Sequence, residues 1–459
     1  MQKQTRTNKR HSQCGLLASG LALIVSACAA PAAIPATPMA KAIILPTLTP
    51  AVGVPQPTAT PLAIGAPTAT VASQGKGGDI KAARSALQPI FVDGTNAFGF
   101  KLLNEVAASD AGKNIFISPA SVSLALAMVY NGAKGGTAED MARTLGVSGL
   151  SLNDANTAYN ALQTLLRQAD PTVTLDIANS LWARQGAGLN DDFLNRTQTF
   201  YQAQISELDF NQPDAAKTIN QWVSDSTHGK ITEIVDPPID KDMLLFLINA
   251  IYFKGNWMGK FDPTATRPLP FTQSNGQSAD TPMMFQAGKY AYFATPEFQA
   301  VRLPYGDGVF SMVVLLPAAG VSLEQLRTSL TSENWRAWSA QFQVTDGDIS
   351  MPKFKLEYKQ DLVGALGKLG MGSAFGNGAD FTGMRAQPPS LSISEVKHKT
   401  YIDVNEEGTE AAAVTSAGMR TTSLRETKRF SMTIDHPFFF AIQDDQTSAV
   451  LFSGLIEKP

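Results

Sequence analysis

Met243-Leu244-Leu245-Phe246-Leu247-Ile248-Asn249-Ala250-Ile251-Tyr252-Phe253 is an apolar run interrupted by a single asparagine. A strand with one face on a core alternates apolar and polar residues. A run that stays apolar at successive positions suits a central strand covered on both faces. Ser311-Met312-Val313-Val314-Leu315-Leu316-Pro317 and Phe438-Phe439-Phe440-Ala441-Ile442 read the same way. Upstream the pattern turns helical. Thr95 is expected to cap a helix carrying Phe98, Leu102, Leu103 and Val106. Ser118-Pro119 opens a second, whose Val122, Leu124, Ala125, Leu126, Met128 and Val129 mark it as buried, and Asn131-Gly132 ends it. Thr137, with Asp140 three residues on, is expected to cap the next. Helices early and large sheets late, with no internal repeat or second linker, predict one α+β domain.

Between the last two apolar runs lies a different kind of segment, Glu406-Glu407-Gly408-Thr409-Glu410-Ala411-Ala412-Ala413-Val414-Thr415. Alternate positions from Thr409 onward are Thr409, Ala411, Ala413, Thr415, Ala417 and Met419, all uncharged and mostly small. The other set includes Glu410 and Arg420, which suit water. Gly408 offers a hinge at the entry. The stretch therefore reads as a strand that has not yet joined its sheet. Ala and Glu also favour helix, and small-residue surface loops are common, so the ten residues alone leave those alternatives open.

The amino terminus reads as a targeting segment. Lys3, Arg6, Lys9 and Arg10 precede an apolar run from Gly15 to Val25, which is too short to span a bilayer comfortably but suits a signal sequence. Val25-Ser26-Ala27-Cys28 resembles a bacterial lipoprotein box, so residues 1–28 are expected to be a signal peptide with lipidation at Cys28. A plain secretory signal is the alternative. Either way the protein is expected outside the cell or at its surface, and the lipid would make the membrane a partner. Residues 29–83 read as a tether: nine of the 27 prolines fall between Pro31 and Pro67, mixed with Ala and Thr. Residues 84–459 are the folded domain. The only other cysteine is Cys14, so that domain has no disulfide and no thiol nucleophile. Net charge is −3, and loss of residues 1–27 removes four positive charges to leave −7. No basic patch points to nucleic acid.

At this point the motifs converge. Asn114-Ile115-Phe116-Ile117-Ser118-Pro119, Asn131-Gly132-Ala133, Asn249 to Trp257, Asp380-Phe381-Thr382-Gly383-Met384, His398-Lys399, the Glu406–Thr415 segment and Met432 to Ile442 occur in the order and spacing of the serpins. The chain resembles that family over nearly all of residues 84–459. The resemblance implies about nine helices, three β-sheets and an exposed reactive-centre loop. It implies that Glu406–Thr415 is the hinge of that loop. It also implies a polar shutter of Ser118, Ser121, Asn249 and His398 beneath the central sheet, and a breach tryptophan at Trp257. His436-Pro437-Phe438 is expected to be structural. Counted along the family's loop, Thr422 stands before the scissile bond and Ser423 after it. The distal side is slightly long, which leaves Met419, Arg420 and Arg425 as alternative cleavage residues.

No catalytic constellation competes. There are four histidines (His11, His228, His398 and His436), no Gly-x-Ser-x-Gly elbow, no HExxH and no phosphate-cradling glycine loop. The chain is expected to be a monomer and not an enzyme, with no cofactor and no metal. It is expected to trap serine proteases as a suicide substrate. Elastase- or subtilisin-like targets are favoured by the small Thr422, and trypsin-like ones are possible through the arginines. The rival of another class is a surface-tethered binding module on the same fold.

Overall fold

The computed structural model describes residues 78–385, 387, 391–409 and 429–459. Among them are ten α-helices: α1 (Gly78–Ala86), α2 (Pro89–Ser109), α3 (Pro119–Tyr130), α4 (Gly135–Thr144), α5 (Leu152–Gln168), α6 (Asp191–Tyr201), α7 (Ala215–Ser226), α8 (Leu323–Thr328), α9 (Ser332–Ser339) and α10 (Val363–Leu366). The strands are β1 (Ile115–Ile117), β2 (Val173–Arg184), β3 (Gln204–Leu208), β4 (Leu245–Asn256), β5 (Arg267–Thr272), β6 (Ser278–Ala294), β7 (Phe298–Pro304), β8 (Phe310–Pro317), β9 (Gln343–Pro352), β10 (Phe354–Asp361), β11 (Glu395–Asn405), β12 (Gly408–Thr409), β13 (Phe430–Thr433), β14 (Phe438–Asp444) and β15 (Val450–Ile456).

Helix α3 is the centre of the domain. Ser118 caps it, with its hydroxyl accepting from the Ser121 N–H, and Pro119 sits in its first turn. Every residue from Pro119 to Val129 is buried. Two of the expected helix starts move. Helix α2 begins at Pro89, so Thr95 lies inside it and returns its hydroxyl to the Val92 carbonyl. Helix α4 begins at Gly135, and Thr137 uses its hydroxyl to accept from the Asp380 N–H. In each case the threonine found a nearer partner than the helix end. Helix α1 crosses the boundary placed between tether and domain, because Lys-Ala-Ala-Arg-Ser-Ala favours helix and Ala83 and Leu87 are buried.

The strands form two hydrogen-bonded sheets, α+β as expected. One follows the order β1-β15-β14-β8-β7-β6-β9-β13, with β5 paired to β6; the other is β10-β11-β12-β4-β2-β3. The expectation of three sheets gives way to two for one reason. Strand β6 is 17 residues long and bonds β5 and β9 along most of its length, then β7 through Ala291–Ala294. It fuses two sheets into a continuous path.

Strand β4 is buried from Leu245 through Phe253, as its apolar run requires. One face meets the main core around α3, where Phe116 stacks on Phe452 at 5.1 Å and Phe440 at 5.6 Å. The other face lies under α7. Ala216, Ile219 and Val223 of that helix pack in one cluster with Ala178, Trp182, Phe246, Ile248, Tyr252 and Tyr401 from β2, β4 and β11.

Candidate functional site

The site is the seam between β4 and β11. Along its lower part these strands pair directly and in parallel, from Glu395 opposite Phe246 to Tyr401 opposite Tyr252. At the top they part. The chain leaves β11 at Asn405, turns through Glu406 and Glu407, and comes back as β12 between them. Thr409 lies opposite both Val404 and Gly255, and Gly408 opposite Asn405 and Asn256. The segment read as a strand that has not yet joined its sheet has thus placed its third and fourth residues, Gly408 and Thr409, within it. Space explains why the first is glycine. A Cβ on Gly408 would stand 2.2 Å from the Gly255 carbonyl oxygen, and its φ of +148° suits no side chain.

The turn above β12 is held from several sides. The Trp257 N–H donates to the Glu407 carbonyl at 2.9 Å, and the Phe261 N–H to that of Glu406 at 2.9 Å. The indole Nε1 of Trp257 donates to the Asn405 carbonyl at 2.9 Å, and its ring stacks on Tyr305 at 4.4 Å. The Tyr305 hydroxyl reaches the Thr409 hydroxyl at 2.8 Å, fully buried. Glu406 takes a hydroxyl from Thr266 at 2.7 Å and an ion pair from Lys353 at 2.8 Å. Burial opposes its charge, but those partners outweigh burial and hold the carboxyl below its ordinary range. Glu407 pairs with Lys260.

Lower in the seam, Ser118, Ser121, Asn249 and His398 come together. His398 stands opposite Asn249 across β4 and β11, and Asn249 opposite Asn179 across β4 and β2. The Asn249 side-chain amide donates to the Ser121 hydroxyl and to the side-chain oxygen Oδ1 of Asn179. The imidazole Nε2 accepts from the Ser118 N–H at 3.1 Å, which leaves Nδ1 to donate to the Asn249 side-chain oxygen. The Ser118 hydroxyl donates to the Leu451 carbonyl at 2.7 Å. His398 is therefore neutral, and burial pulls its pKa down to about 3. His436 bonds Asp435 at 2.7 Å and the Pro317 carbonyl at 2.9 Å, fixing the entry to β14.

Sequence reasoning missed Asn179, Tyr305, Thr266 and Lys353. Asn179 carried a signal, a second asparagine inside an apolar strand between Ala178 and Leu181. Cys28, Glu410, Ala411, Ala412, Ala413, Val414, Thr415, Met419, Arg420, Thr422, Ser423 and Arg425 lie outside the described residues. Among the described residues no group of His, Cys, Asp and Glu is arranged to hold a metal ion, and no helix is long and apolar enough to cross a membrane.

Compared with known families, residues 93–459 match the serpin profile, described as serine protease inhibitor. The chain belongs to the serpin family. This serpin is 37% identical over 381 residues to Serpin B6 of Pongo abelii, covering 81% of this chain and all of that one. It is 36% identical to the leukocyte elastase inhibitor of Equus caballus, over 78% of this chain and 96% of that one. Among solved structures, it superposes on the thermophilic serpin tengpin in its native state with a TM-score of 0.75 and 30% identity, over 80% of this chain and 94% of the other. Thyroxine-binding globulin in complex with thyroxine gives a TM-score of 0.73 at 26% identity, over 80% and 99%.

The buried imidazole predicts acid sensitivity. Its native pKa of about 3 lies below the unfolded value near 6.5. Between those values the unfolded chain binds the extra proton, so the stability is complete above about pH 6.5 and is lost as pH falls. The thermal midpoint of the native state is expected to drop between about pH 7 and about pH 5, and His398→Gln to flatten that drop. Scanning calorimetry across the range checks it; an unchanged slope in the variant would assign the acid sensitivity elsewhere.

Proposed function

We propose that this serpin is a suicide-substrate inhibitor of serine proteases that traps its target by drawing the cut loop into the β4–β11 seam. The observation that carries this is β12, two residues already between the strands, above a seam that is otherwise closed. Continuing the antiparallel register puts Ala411 opposite Phe253 and Ile402, Ala413 opposite Ile251 and Thr400, and Thr415 opposite Asn249 and His398. The small uncharged set then follows Thr409 onto the core face, and Glu410, Ala412 and Val414 fall on the α7 face. Thr415 arrives at the asparagine–histidine contact that closes the seam, and brings a hydroxyl to a place that needs polar partners.

The protease's serine attacks the carbonyl of Thr422 and forms an acyl-enzyme, with Ser423 leaving as the new amino terminus. The freed segment from Thr409 to Thr422 spans about 46 Å as a strand. On the same register Met419 falls opposite Leu245, the lower end of β4. A cut after Thr422 leaves a short leash beyond the sheet edge, so the acyl-enzyme is pulled hard against the lower pole and its serine is drawn out of the oxyanion hole. A cut after Arg425 leaves slack, and one after Met419 or Arg420 stops at the edge. We further propose that residues 1–28 are a signal peptide ending in a lipidated Cys28, and that residues 29–77, ahead of α1, tether the monomeric domain at the cell surface. The basic start, the short apolar run and the lipobox-like Val25-Ser26-Ala27-Cys28 support this.

Incubation with an elastase- or subtilisin-like enzyme is expected to give a complex that survives boiling in detergent. Ala413→Arg is expected to leave folding intact but turn the protein into a cleaved substrate, since a buried unpaired guanidinium opposes insertion by several kcal/mol. Equal complex yield from the variant would sink the insertion reading. Trypsin is expected to be trapped with a poorer stoichiometry than elastase, and sequencing of the released peptide identifies the bond. Efficient trapping of trypsin after Arg425, with none of elastase, would move the reactive bond. Cys28→Ala is expected to shift the protein from the membrane to the soluble fraction; unchanged retention would count against the anchor.

A further inference from the structure

The rung that seats β12 is shared with another part of the chain. Gly255 of β4 has Thr409 opposite it on one side and Val173, the first residue of β2, on the other. The Tyr305 ring lies against that glycine: a Cβ on Gly255 would stand 3.1 Å from the ring carbon Cδ1. The ring is fully buried, with Trp257 stacked on it and Phe253 packed edge-on at 5.0 Å. Its hydroxyl meets that of Thr409.

Tyr305 opens the turn between β7 and β8. The Gly308 N–H donates to the Tyr305 carbonyl at 2.7 Å, and the Gly306 N–H to that of Asn256 at 2.8 Å. The other side of this turn is gripped by Asp170, which lies between α5 and β2 and is buried. Its Oδ2 accepts from the Asp307 N–H at 3.0 Å. Its Oδ1 accepts from the N–H and the hydroxyl of Thr172, at 2.9 and 2.6 Å. A carboxylate can accept at both oxygens, whereas asparagine has one acceptor for the two sides. The fit is close. Gly306 has a φ of +48°, and a Cβ there would fall 1.9 Å from the Thr172 hydroxyl oxygen and 2.7 Å from Oδ2 of Asp170. The carboxylate thus lies directly against the backbone of the turn that carries Tyr305.

We propose that Asp170 is a positioning residue for inhibition: by clamping the Gly306–Asp307 turn it sets the Tyr305 hydroxyl where it keeps Thr409 seated in the sheet before any protease arrives. The seating stands on this geometry; its effect on capture rests on the insertion reading above. The Tyr305–Thr409 contact is made when β12 is seated and stays made on the inserted register. It is lost only when β12 leaves the sheet, and the buried Tyr305 hydroxyl is then left without that partner. The clamp therefore leaves the gain on insertion unchanged and acts on the balance between a seated and a withdrawn β12. A chain caught with β12 withdrawn must form its first pairs after acylation, while the ester is open to hydrolysis.

The test uses the full chain and the variants Asp170→Asn, Tyr305→Phe and the two combined, with near-ultraviolet circular dichroism to establish the fold. Hydrogen exchange at the Gly408 and Thr409 amides reads the population in which β12 has left the sheet. Asp170→Asn is expected to speed that exchange by about tenfold. In the Tyr305→Phe background the same change is expected to add less than about twofold, because the path runs through the lost hydroxyl. The stoichiometry of inhibition of an elastase-like enzyme is expected to rise in Asp170→Asn, as more acyl-enzymes hydrolyse before capture. If Asp170→Asn does not fold, Thr172→Val is read in its place; it removes one donor that orients the carboxylate and is expected to speed exchange by about threefold. Unchanged exchange in the folded variant would overturn the clamp, and full multiplication of the Asp170 and Tyr305 effects would overturn the path through Tyr305. Faster exchange with an unchanged stoichiometry would overturn the effect on capture. A wild type that forms no covalent complex would refute the insertion reading, while exchange still decides the clamp.

Discussion

The parallel pairing of β4 with β11 is the constraint on which the rest depends. These strands are held together by backbone bonds over Glu395–Tyr401 and by side-chain contacts that include His398 to Asn249 and the Tyr252–Tyr401 ring pair. Because β4 is apolar on both faces, opening the seam exposes surface to the α3 core below and to α7 above. That makes opening costly unless another strand fills the gap at once. The hinge can do so only if its core-facing side chains are small and uncharged, and only if the first of them is already in position.

On the proposed insertion mechanism the native state is held by kinetics more than by depth. The sheet would gain a strand, with backbone bonds on both sides and a buried small face, if the loop entered fully. What prevents it is the closed seam and the polar cluster beneath it. The buried polar groups are well chosen for a barrier. Each is satisfied in the closed state, and parting the strands strands several of them together. The neutral imidazole of His398 fits this role, since its Nε2 must stay unprotonated to accept from Ser118.

Much of this was legible in the sequence. The double-faced run at Met243–Phe253 fixed the central strand, and Ser118-Pro119 marked the buried helix at its correct start. The alternation after Gly408 put Thr409 in the small uncharged set, and Thr409 lies buried against Tyr305. Other features depended on tertiary partners. Thr95 and Thr137 look like caps by residue type, but their hydroxyls serve the Val92 carbonyl and the Asp380 N–H. Tyr305, Thr266 and Lys353 hold the hinge turn from distant parts of the chain, and nothing local in their sequence announces it. The fusion of two sheets through β6 follows from the length over which its ladder persists, a property that alternation alone does not reveal.

The two residues of β12 turn inhibition into a race with a staggered start. After acylation the protease can hydrolyse the ester and leave, or be carried off before it does. For a strand entering a sheet, the slow event is forming the first pairs, because chain freedom is lost before bonds accumulate. Here Gly408 and Thr409 have made those pairs before any protease arrives. What remains after cleavage is propagation, one residue at a time, down a track whose gauge is already set at the top. The fraction of encounters that end in capture is therefore decided less by how fast the loop finds the sheet than by how readily the lower rungs yield. That places the determinant of efficiency at Asn249 and His398, which face each other across the lower seam.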